Sequence, residues 1–477
     1  MKYNSKLANQ LFLKSALSID DEYMPTEDIV SWLKEQNDKT KVNISQCPLK
    51  DINGWIFSHN DESIRHKSGK FFSIEGIQVE TNCPSHKKWQ QPIINQPEIG
   101  YLGIITKVIN GVLHFLLQAK IEPGNVNYVQ LSPTLQATKS NYTKVHKGRS
   151  PLYLEYFINA KQEQILVDQL QSEQGGRFLH KRNRNIIIEV QDEINVYDQF
   201  IWLTLNQIKM LINRDNLVNM DTRSVIASAS FGDFSLDAFN IIDFLSYKSK
   251  NDKIKSELLR SSLVSDNSLH TFDEIISFIT NIKSRCDLRV ERVGLNNLKD
   301  WVVSDMKIFH KENKYFEVIA LNVEIDNREA VKWSQPMVKP VQEGICAFIT
   351  KKISNVLHFV VQAKIESGNM DIVEFAPTVQ VLTGNYRETK KGALPFLDIV
   401  LEASKEQIVF DALQSEEGGR FYKDQNRYMM ISVGEDFSES LPDNYIWMTL
   451  NQLQTFLKFN NFLNIQARSL ISAIPYI

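Results

Sequence analysis

Residues 113–125 read LHFLLQAKIEPGN, and residues 357–369 read LHFVVQAKIESGN. Ten of the thirteen positions are identical across a spacing of 244 residues. A period this long is no solenoid turn, so the repeating unit is a whole domain. Other stretches return in the same order. Trp89-x-Gln91-Pro92 returns as Trp333-x-Gln335-Pro336, and SPTLQATKSNYTKVHKG (132–148) returns as APTVQVLTGNYRETKKG (376–392). DQLQSEQGGRF (168–178) returns as DALQSEEGGRF (411–421), and FIWLTLNQ (200–207) as YIWMTLNQ (445–452). EDIVSWL (27–33) and Trp55 have weaker echoes in DEIISFI (273–279) and Trp301. The chain therefore divides into a first repeat with an N-terminal extension (1–229), a connector (230–267) and a second repeat (268–477). The connector carries apolar residues at helical spacing and lacks Gly/Ser-rich slack, which predicts helix.

Within one repeat, strand and helix alternate. FFSIEGIQV, YLGIITKVI, LHFLLQAKI and NIIIEV are short, β-branched or aromatic, and read as strands. Asn110-Gly111 between two of them is a hairpin signal. QEQILVDQLQSEQGG (162–176) has helical spacing and a double glycine as its stop, and LTLNQIKMLINRDN (203–216) reads as a second helix. The expected class is α+β, with mixed sheets and few helices.

The totals exclude several classes. The 477 residues are 43% hydrophobic and 23% charged, which suits globular domains with real cores. A net charge of -3 offers no electrostatic footprint for nucleic acid. No apolar run approaches the ~18 residues of a membrane span, and Lys14 interrupts LFLKSAL, so no secretory leader is expected. Cys47, Cys83, Cys286 and Cys346 form no CxxC pair or zinc-spaced cluster. Free thiols in a reducing, cytoplasmic compartment are the expectation.

If LHFLLQAKIE is a strand, Leu113, Phe115, Leu117, Ala119 and Ile121 share a core face. His114, Leu116, Gln118, Lys120 and Glu122 share the other. That second face is either the solvated side of an amphipathic strand or a binding or catalytic face; its register in both copies favours the latter. SPTLQATKSNYT is a polar loop or edge strand suited to hydrogen-bonding a sugar or base. Arg177, Lys181, Arg182 and Arg184 follow the double glycine and suit a diphosphate, although a solvated basic turn is the alternative. His66 recurs as His310 and reads first as structural. Trp89, beside Gln91-Pro92, is either core or a platform for a base.

At these residues the sequence resembles the NDP-hexose 2,3-dehydratases of deoxysugar biosynthesis. The matching motifs are QPIINQPEIGYLGI (91–104), LLQAKIEPGNVNYVQLSPTLQATKSNYTKVHKG (116–148), LQSEQGGRFLHKRNRN (170–185) and DNLVNMDTRSV (215–225). The resemblance implies a tandem duplication of a Nudix-like domain, a homodimer, a dTDP-4-keto-6-deoxyglucose substrate, no redox cofactor, and coupling to a 3-ketoreductase. DQLQSEQG (168–175) falls on the end of a Nudix helix, REUxEExG with U aliphatic. Leu170, Glu173 and Gly175 fit, but Asp168, Gln169 and Ser172 replace the Arg and two acidic positions. Few metal ligands survive, and no metal is expected.

The reaction so implied needs a base for the C3 proton, a proton donor for the departing C2 hydroxyl and a donor to the enolate oxygen. Glu122, Lys120, Tyr142 and His146 are the acid–base candidates. His66, Trp89, Gln91, Asn95, Gln96, Gln118, Asn125, Ser132, Thr134, Gln136, Thr138 and Asn141 are candidates for binding the substrate, with Arg177 and Arg184 for its diphosphate. Asn95, Gln96, Glu98, Ser132, Thr138, Ser140, His146 and Asp221 occur only in the first copy; the second has Lys339, Pro340, Gln342, Ala376, Leu382, Gly384, Lys390 and Gln466. The expectation is that both copies bind, or once bound, a nucleotide sugar and that the first does the chemistry.

Overall fold

A computed structural model describes residues 5–19, 23–58, 62–84, 86–138, 150–232, 253–326 and 331–477. Each repeat builds a seven-stranded sheet around its copy of the doubled strand. Val112–Ile121 lies between Gly100–Ile109 and Phe200–Thr204, and Val356–Lys364 lies between Ile345–Ile353 and Tyr445–Thr449. The sheets are mixed: Arg182–Glu189 runs parallel to Gly100–Ile109, while the hairpin partners are antiparallel. Asn110 and Gly111 take φ of 49° and 78°, the left-handed pair a tight hairpin needs. Leu113, Phe115, Leu117, Ala119 and Ile121 all enter the largest core cluster, as their alternation predicts, alongside Leu357, Phe359 and Val361 of the second copy.

Helices start where the sequence supplies caps. In TLNQ, Thr204 accepts from the Gln207 amide at 3.2 Å while the Gln207 side chain accepts from the Thr204 amide at 2.9 Å. Thr449 and Gln452 repeat the same reciprocal box. Asn219 caps Met220–Ala227, and Asn464 caps Ile465–Ala473. Of the connector, 233–252 lies outside the described residues; Lys253–Leu263 is helical, as expected. That helix does for the second repeat what Ser5–Ala16 does for the first. Ser261 donates to the Leu357 carbonyl and accepts from the Leu450 amide, and Ser15 does the same with Leu113 and Leu205.

The two repeats exchange strands. Val42–Cys47 of the first pairs antiparallel with Phe316–Ile325 of the second, in register from Val42–Ile325 to Cys47–Ala320. Leu288–Val293 of the second pairs with Ser73–Thr81 of the first, from Leu288–Thr81 to Val293–Gly76. Each smaller sheet is therefore complete only with a strand from the other repeat.

The motifs that end the doubled strands serve the same exchange. The Gly124 amide donates to the Gly418 carbonyl at 2.8 Å and the Gly124 carbonyl accepts from Lys423 at 2.7 Å; Gly368 makes the reciprocal bonds with Gly175 and His180 at 2.7 and 2.9 Å. A Cβ at Gly124 would fall 1.6 Å from the Phe421 carbonyl oxygen, and one at Gly368 would fall 1.7 Å from that of Phe178. Only glycine admits backbones this close. Deeper in, Arg223 donates to Gln414, the Ser415 carbonyl and Ser469, while Arg468 donates to Ser224 and the Ser172 carbonyl.

Three expectations are corrected. QEQILVDQLQSEQGG is not a helix: Ile165–Ser172 is a strand paired with Arg182–Glu189, and Gly175-Gly176 is a docking turn. Its polar residues are buried by the other repeat: Gln171 donates to the Leu457 carbonyl and Ser172 to Glu374. The Nudix alignment thus loses its helix at that segment. The cysteines are not all free thiols: Cys83 and Cys286 form a disulfide joining the repeats beside the exchanged strand Leu288–Val293, while Cys47 and Cys346 are free and buried. No helix among the described residues is long and apolar enough to cross a membrane.

Candidate active site

Where the doubled strand of the first repeat ends, a cavity of ≈ 490 Å³ opens. Lys120 and Glu122 reach it from that strand, and Gln136 reaches it from Leu135–Ala137. The Lys120 Nζ donates to Gln136 Oε1 at 2.9 Å, the Gln136 amide donates to Glu122 Oε1 at 2.9 Å, and Lys120 stands 3.7 Å from Glu122. Gln136 therefore holds both charged groups in place. The far oxygens of Glu122, Glu173 and Glu417 are buried and accept no hydrogen bond from the described residues. Burying an acceptor without a partner is costly, so these oxygens mark where a ligand's donors would go.

Four carboxylates gather here. Glu122 and Glu173 directly follow the strands Val112–Ile121 and Ile165–Ser172, Asp221 comes from the first turn of Met220–Ala227, and Glu417 from the second repeat's glycine turn. Lys120, Lys181 and Arg420 oppose them. Burial holds the Asp221 carboxyl well above its ordinary range, and the neighbouring Glu173, Glu417 and Glu122 charges add to it. Burial pushes Glu417 up to about 8, with Arg420 opposing and Glu122 and Glu173 reinforcing. Burial lowers Lys181 to about 8. The site thus stores exchangeable protons near neutral pH. Among the described residues, no group of three or more His, Cys, Asp or Glu is arranged to hold a metal ion.

The opposite wall is aromatic. Trp55 and His66 meet edge to face at 5.5 Å, His66 and Phe71 at 4.8 Å, and Trp55 lies 4.8 Å from Phe72. The Arg420 guanidinium sits 4.2 Å over Phe72, and its Nε donates to Gln96 at 3.1 Å. Trp333 of the second repeat closes this wall, its indole fixed by a 3.0 Å bond to Gln335.

Of the predicted residues, the cavity brings together Lys120, Glu122, His66, Gln96, Gln136 and Thr138. Several others stand elsewhere. Trp89 and Gln91 do not line it; Trp89 donates to Gln91, which donates to the Gly176 carbonyl. Their echoes Trp333 and Gln335 take the place expected for them, because the strands cross. Arg177 stacks 4.1 Å over Phe316 and lies among Asp424, Glu366 and Glu416, on the second repeat's side. Arg184 is committed to Asp168 by two 2.7 Å bonds, so its fork is occupied. Asn95 donates to Glu75, Asn125 to the Tyr128 carbonyl and Thr134 to the Leu116 carbonyl, and Ser132 accepts from Asn219. Gln118 lies on the doubled strand short of the cavity, between Phe200 and Ser132. Tyr142, His146 and Asn141 lie outside the described residues.

Sequence reasoning missed Glu173, Trp333, Glu417 and Arg420 as members of this cavity, whereas Lys181, named within the basic cluster after the double glycine, does line it. Asp221 was visible as a first-copy residue. Glu417 and Arg420 were visible only as part of the repeated GGRF motif, with nothing to say that the motif serves the other repeat.

A family model described as NDP-hexose 2,3-dehydratase matches residues 26–229 and 272–474. A Saccharopolyspora spinosa protein named dTDP-4-dehydro-6-deoxy-alpha-D-glucopyranose 2,3-dehydratase is 43% identical over 464 residues, covering 97% of this chain and 94% of the relative. Proteins of the same name from Amycolatopsis orientalis and Streptomyces violaceoruber are 39% and 38% identical, over 96% and 93% of this chain and 92% and 96% of their own lengths.

Proposed function

The chain belongs to the NDP-hexose 2,3-dehydratase family, and from that premise we propose that it removes the C2 hydroxyl of dTDP-4-keto-6-deoxyglucose. The product is the 3,4-diketo-2,6-dideoxy sugar. The observation that carries this reading is the cavity itself, with an aromatic wall for a base at one side and a Lys–Gln–Glu relay with buried carboxylates at the other.

The C4 ketone acidifies the C3 proton. Glu122, with one oxygen free, takes that proton, and the Lys120 ammonium donates to the enolate oxygen as charge develops there. Gln136 fixes the spacing of the two. Loss of the C2 hydroxyl from the enolate restores the ketone and leaves an enol that tautomerises to the second ketone. Arg420 and Lys181 are the cations within the cavity for the diphosphate, replacing Arg177 and Arg184 in that role. Thymine packs against Trp55, His66 and Trp333 and helps hold the sugar in place. Tyr142 and His146 stay in the proposed acid–base set.

The first repeat is the working copy in this reading. The second keeps the three residues but only half of the relay: the Gln380 amide donates to Glu366 at 3.0 Å, whereas Lys364 donates to the Gln380 main-chain carbonyl at 3.3 Å and Asn464 takes the Gln380 side-chain oxygen. It lacks Asp221, whose counterpart is Gln466. The tandem Nudix-like ancestry, a homodimer, a cytoplasmic location and delivery of the diketone to a 3-ketoreductase belong to the same proposal and rest on the family resemblance.

The test is incubation with dTDP-4-keto-6-deoxyglucose, a 3-ketoreductase and NADPH, followed by mass spectrometry. Loss of the C2 oxygen is expected. An unchanged sugar bound to the protein supports a non-enzymatic nucleotide-sugar-binding module instead. Release of dTMP identifies a Nudix-type hydrolase.

A further inference from the structure

We propose that Glu417, which the second repeat contributes to the first repeat's cavity, is the acid that protonates the departing C2 hydroxyl. The inference rests on the dehydratase reading above and adds a residue in trans to it.

Glu417 opens the turn Glu417-Gly418-Gly419-Arg420, which docks on the end of the first repeat's doubled strand through the Gly124–Gly418 backbone bond. The docking aims Glu417 into the cavity beside Glu122. A Cβ added to Gly419 would lie 2.4 Å from Glu417 Oε1 and 3.7 Å from Glu122 Oε1, so a bare glycine lets both carboxylates close on one spot. Glu417 Oε2 is buried and without a hydrogen-bond partner among the described residues. The charged groups facing it are Arg420 on its own turn, Glu122 and Lys120 on the doubled strand, Glu173, Lys181 and Asp221. Three carboxylates against three cations, out of bulk water, leave Glu417 holding a proton into the neutral range, as an acid here requires.

The reciprocal position argues the same way. The equivalent turn of the first repeat has Gln174 in place of Glu417, and Gln174 donates its amide to Glu416 at 3.3 Å. An amide has no proton to give to a leaving hydroxide. The second repeat's Lys364, Gln380 and Glu366 therefore face a turn that cannot act as acid. This difference between the two sites lies in each case on the opposite repeat, whereas Asp221 and its counterpart Gln466 lie on the repeat that owns the site.

The step balances. Glu122 takes the C3 proton, and the C–H pair moves through C3–C4 onto the C4 oxygen. That charge returns to re-form the ketone, C2–C3 becomes a double bond, C2–O breaks, and the hydroxyl leaves as water with the Glu417 proton. Glu122 then gives its proton to C2 as the C3 enol hydroxyl gives its own to Glu417, which restores both groups.

The experiment uses full-length protein in D₂O with dTDP-4-keto-6-deoxyglucose, read by mass spectrometry. Wild type must first dehydrate the sugar; if it does not, the dehydratase reading fails, and this inference with it. Glu417→Gln is expected to lower dehydration at least 100-fold while dTDP affinity stays within threefold. It should still exchange one C3 hydrogen for deuterium, because the base is untouched. Glu417→Asp, which keeps the acid on a shorter arm, should recover at least tenfold over Glu417→Gln and serves if the Gln variant does not fold. Glu417→Gln dehydrating within tenfold of wild type overturns the inference and returns the acid role to Tyr142, His146 or Asp221; where only Glu417→Asp folds, a kcat–pH profile whose alkaline limb coincides with that of wild type does the same, because a changed acid must titrate differently. Loss of exchange together with dehydration also overturns it, since Glu417 would then belong to the base step.

Discussion

At the scale of single residues, chemistry was legible and address was not. Lys120, Glu122 and Gln136 were identifiable from strand alternation and motif membership, and they stand in one hydrogen-bonded relay. Trp89 was equally plausible from its motif but lies away from the cavity, where Trp333 stands instead. Both tryptophans bond the glutamine two residues on, at 2.9 and 3.0 Å, so their local sequence and geometry are the same. No property of WxQP tells which repeat it serves; that follows from the crossing of strands tens of residues away. The difference is measurable. Trp333→Leu is expected to raise KM for the nucleotide sugar about tenfold, equivalent to about 1.4 kcal/mol of lost binding, with kcat changed less than threefold. Trp89→Leu should leave KM within twofold. Steady-state kinetics on the two variants decides it, and the reverse ranking would remove Trp333 from the substrate's binding wall.

At the scale of elements, strands with an aliphatic face were read correctly and Ile165–Ser172 was not. Its buried polar side chains mimic a helix's solvated stripe, because what buries them is another repeat and not a core. Glu374 is the sharpest case of such burial. It accepts from Ser172 at 2.6 Å, its other oxygen has no partner among the described residues, and burial raises its carboxyl to about 7 against the opposing pull of the Ser172 bond and Arg468. The first repeat solves the same junction with a neutral amide: Gln130, its counterpart, donates to Ser415 at 2.6 Å. A carboxyl whose folded pKa is raised contributes stability in full below its unfolded pKa and loses it as pH rises through the folded value. Wild type should therefore lose stability between about pH 4.5 and 7 through this group, by up to ~3 kcal/mol. Glu374→Gln removes the loss. It should match or fall slightly below wild type at pH 5 and melt several degrees higher at pH 8. Thermal melts of both proteins across that range check it, and equal melting temperatures at pH 8 would show that Glu374 is not strained by its burial.

At the scale of the whole molecule, duplication was plain in the sequence and exchange was invisible. Repeated motifs count copies; they carry no record of which copy a strand pairs with, because Val42–Cys47 and Leu288–Val293 occupy equivalent positions and share one order of apolar and polar residues. The exchange has a physical consequence for the site. The cavity takes its relay from one repeat and Trp333, Glu417 and Arg420 from the other, so neither repeat alone encloses it. Each repeat alone would also expose an unpaired sheet edge and half of a shared core, in which Trp55 and Phe178 pack with Trp301 and Phe421. Two fragments, 1–232 and 253–477, should therefore aggregate or stay unfolded when expressed singly. Expressed together they should associate, bury the common core and recover dehydration. The Cys83–Cys286 disulfide gives a second readout, since it spans the cut. The associated fragments should run as one band on a non-reducing gel under oxidising conditions and as two after a thiol reductant. A first fragment that folds alone and dehydrates the sugar would mean that the crossing strands and the second repeat's turn are dispensable, and that the site is built within one copy.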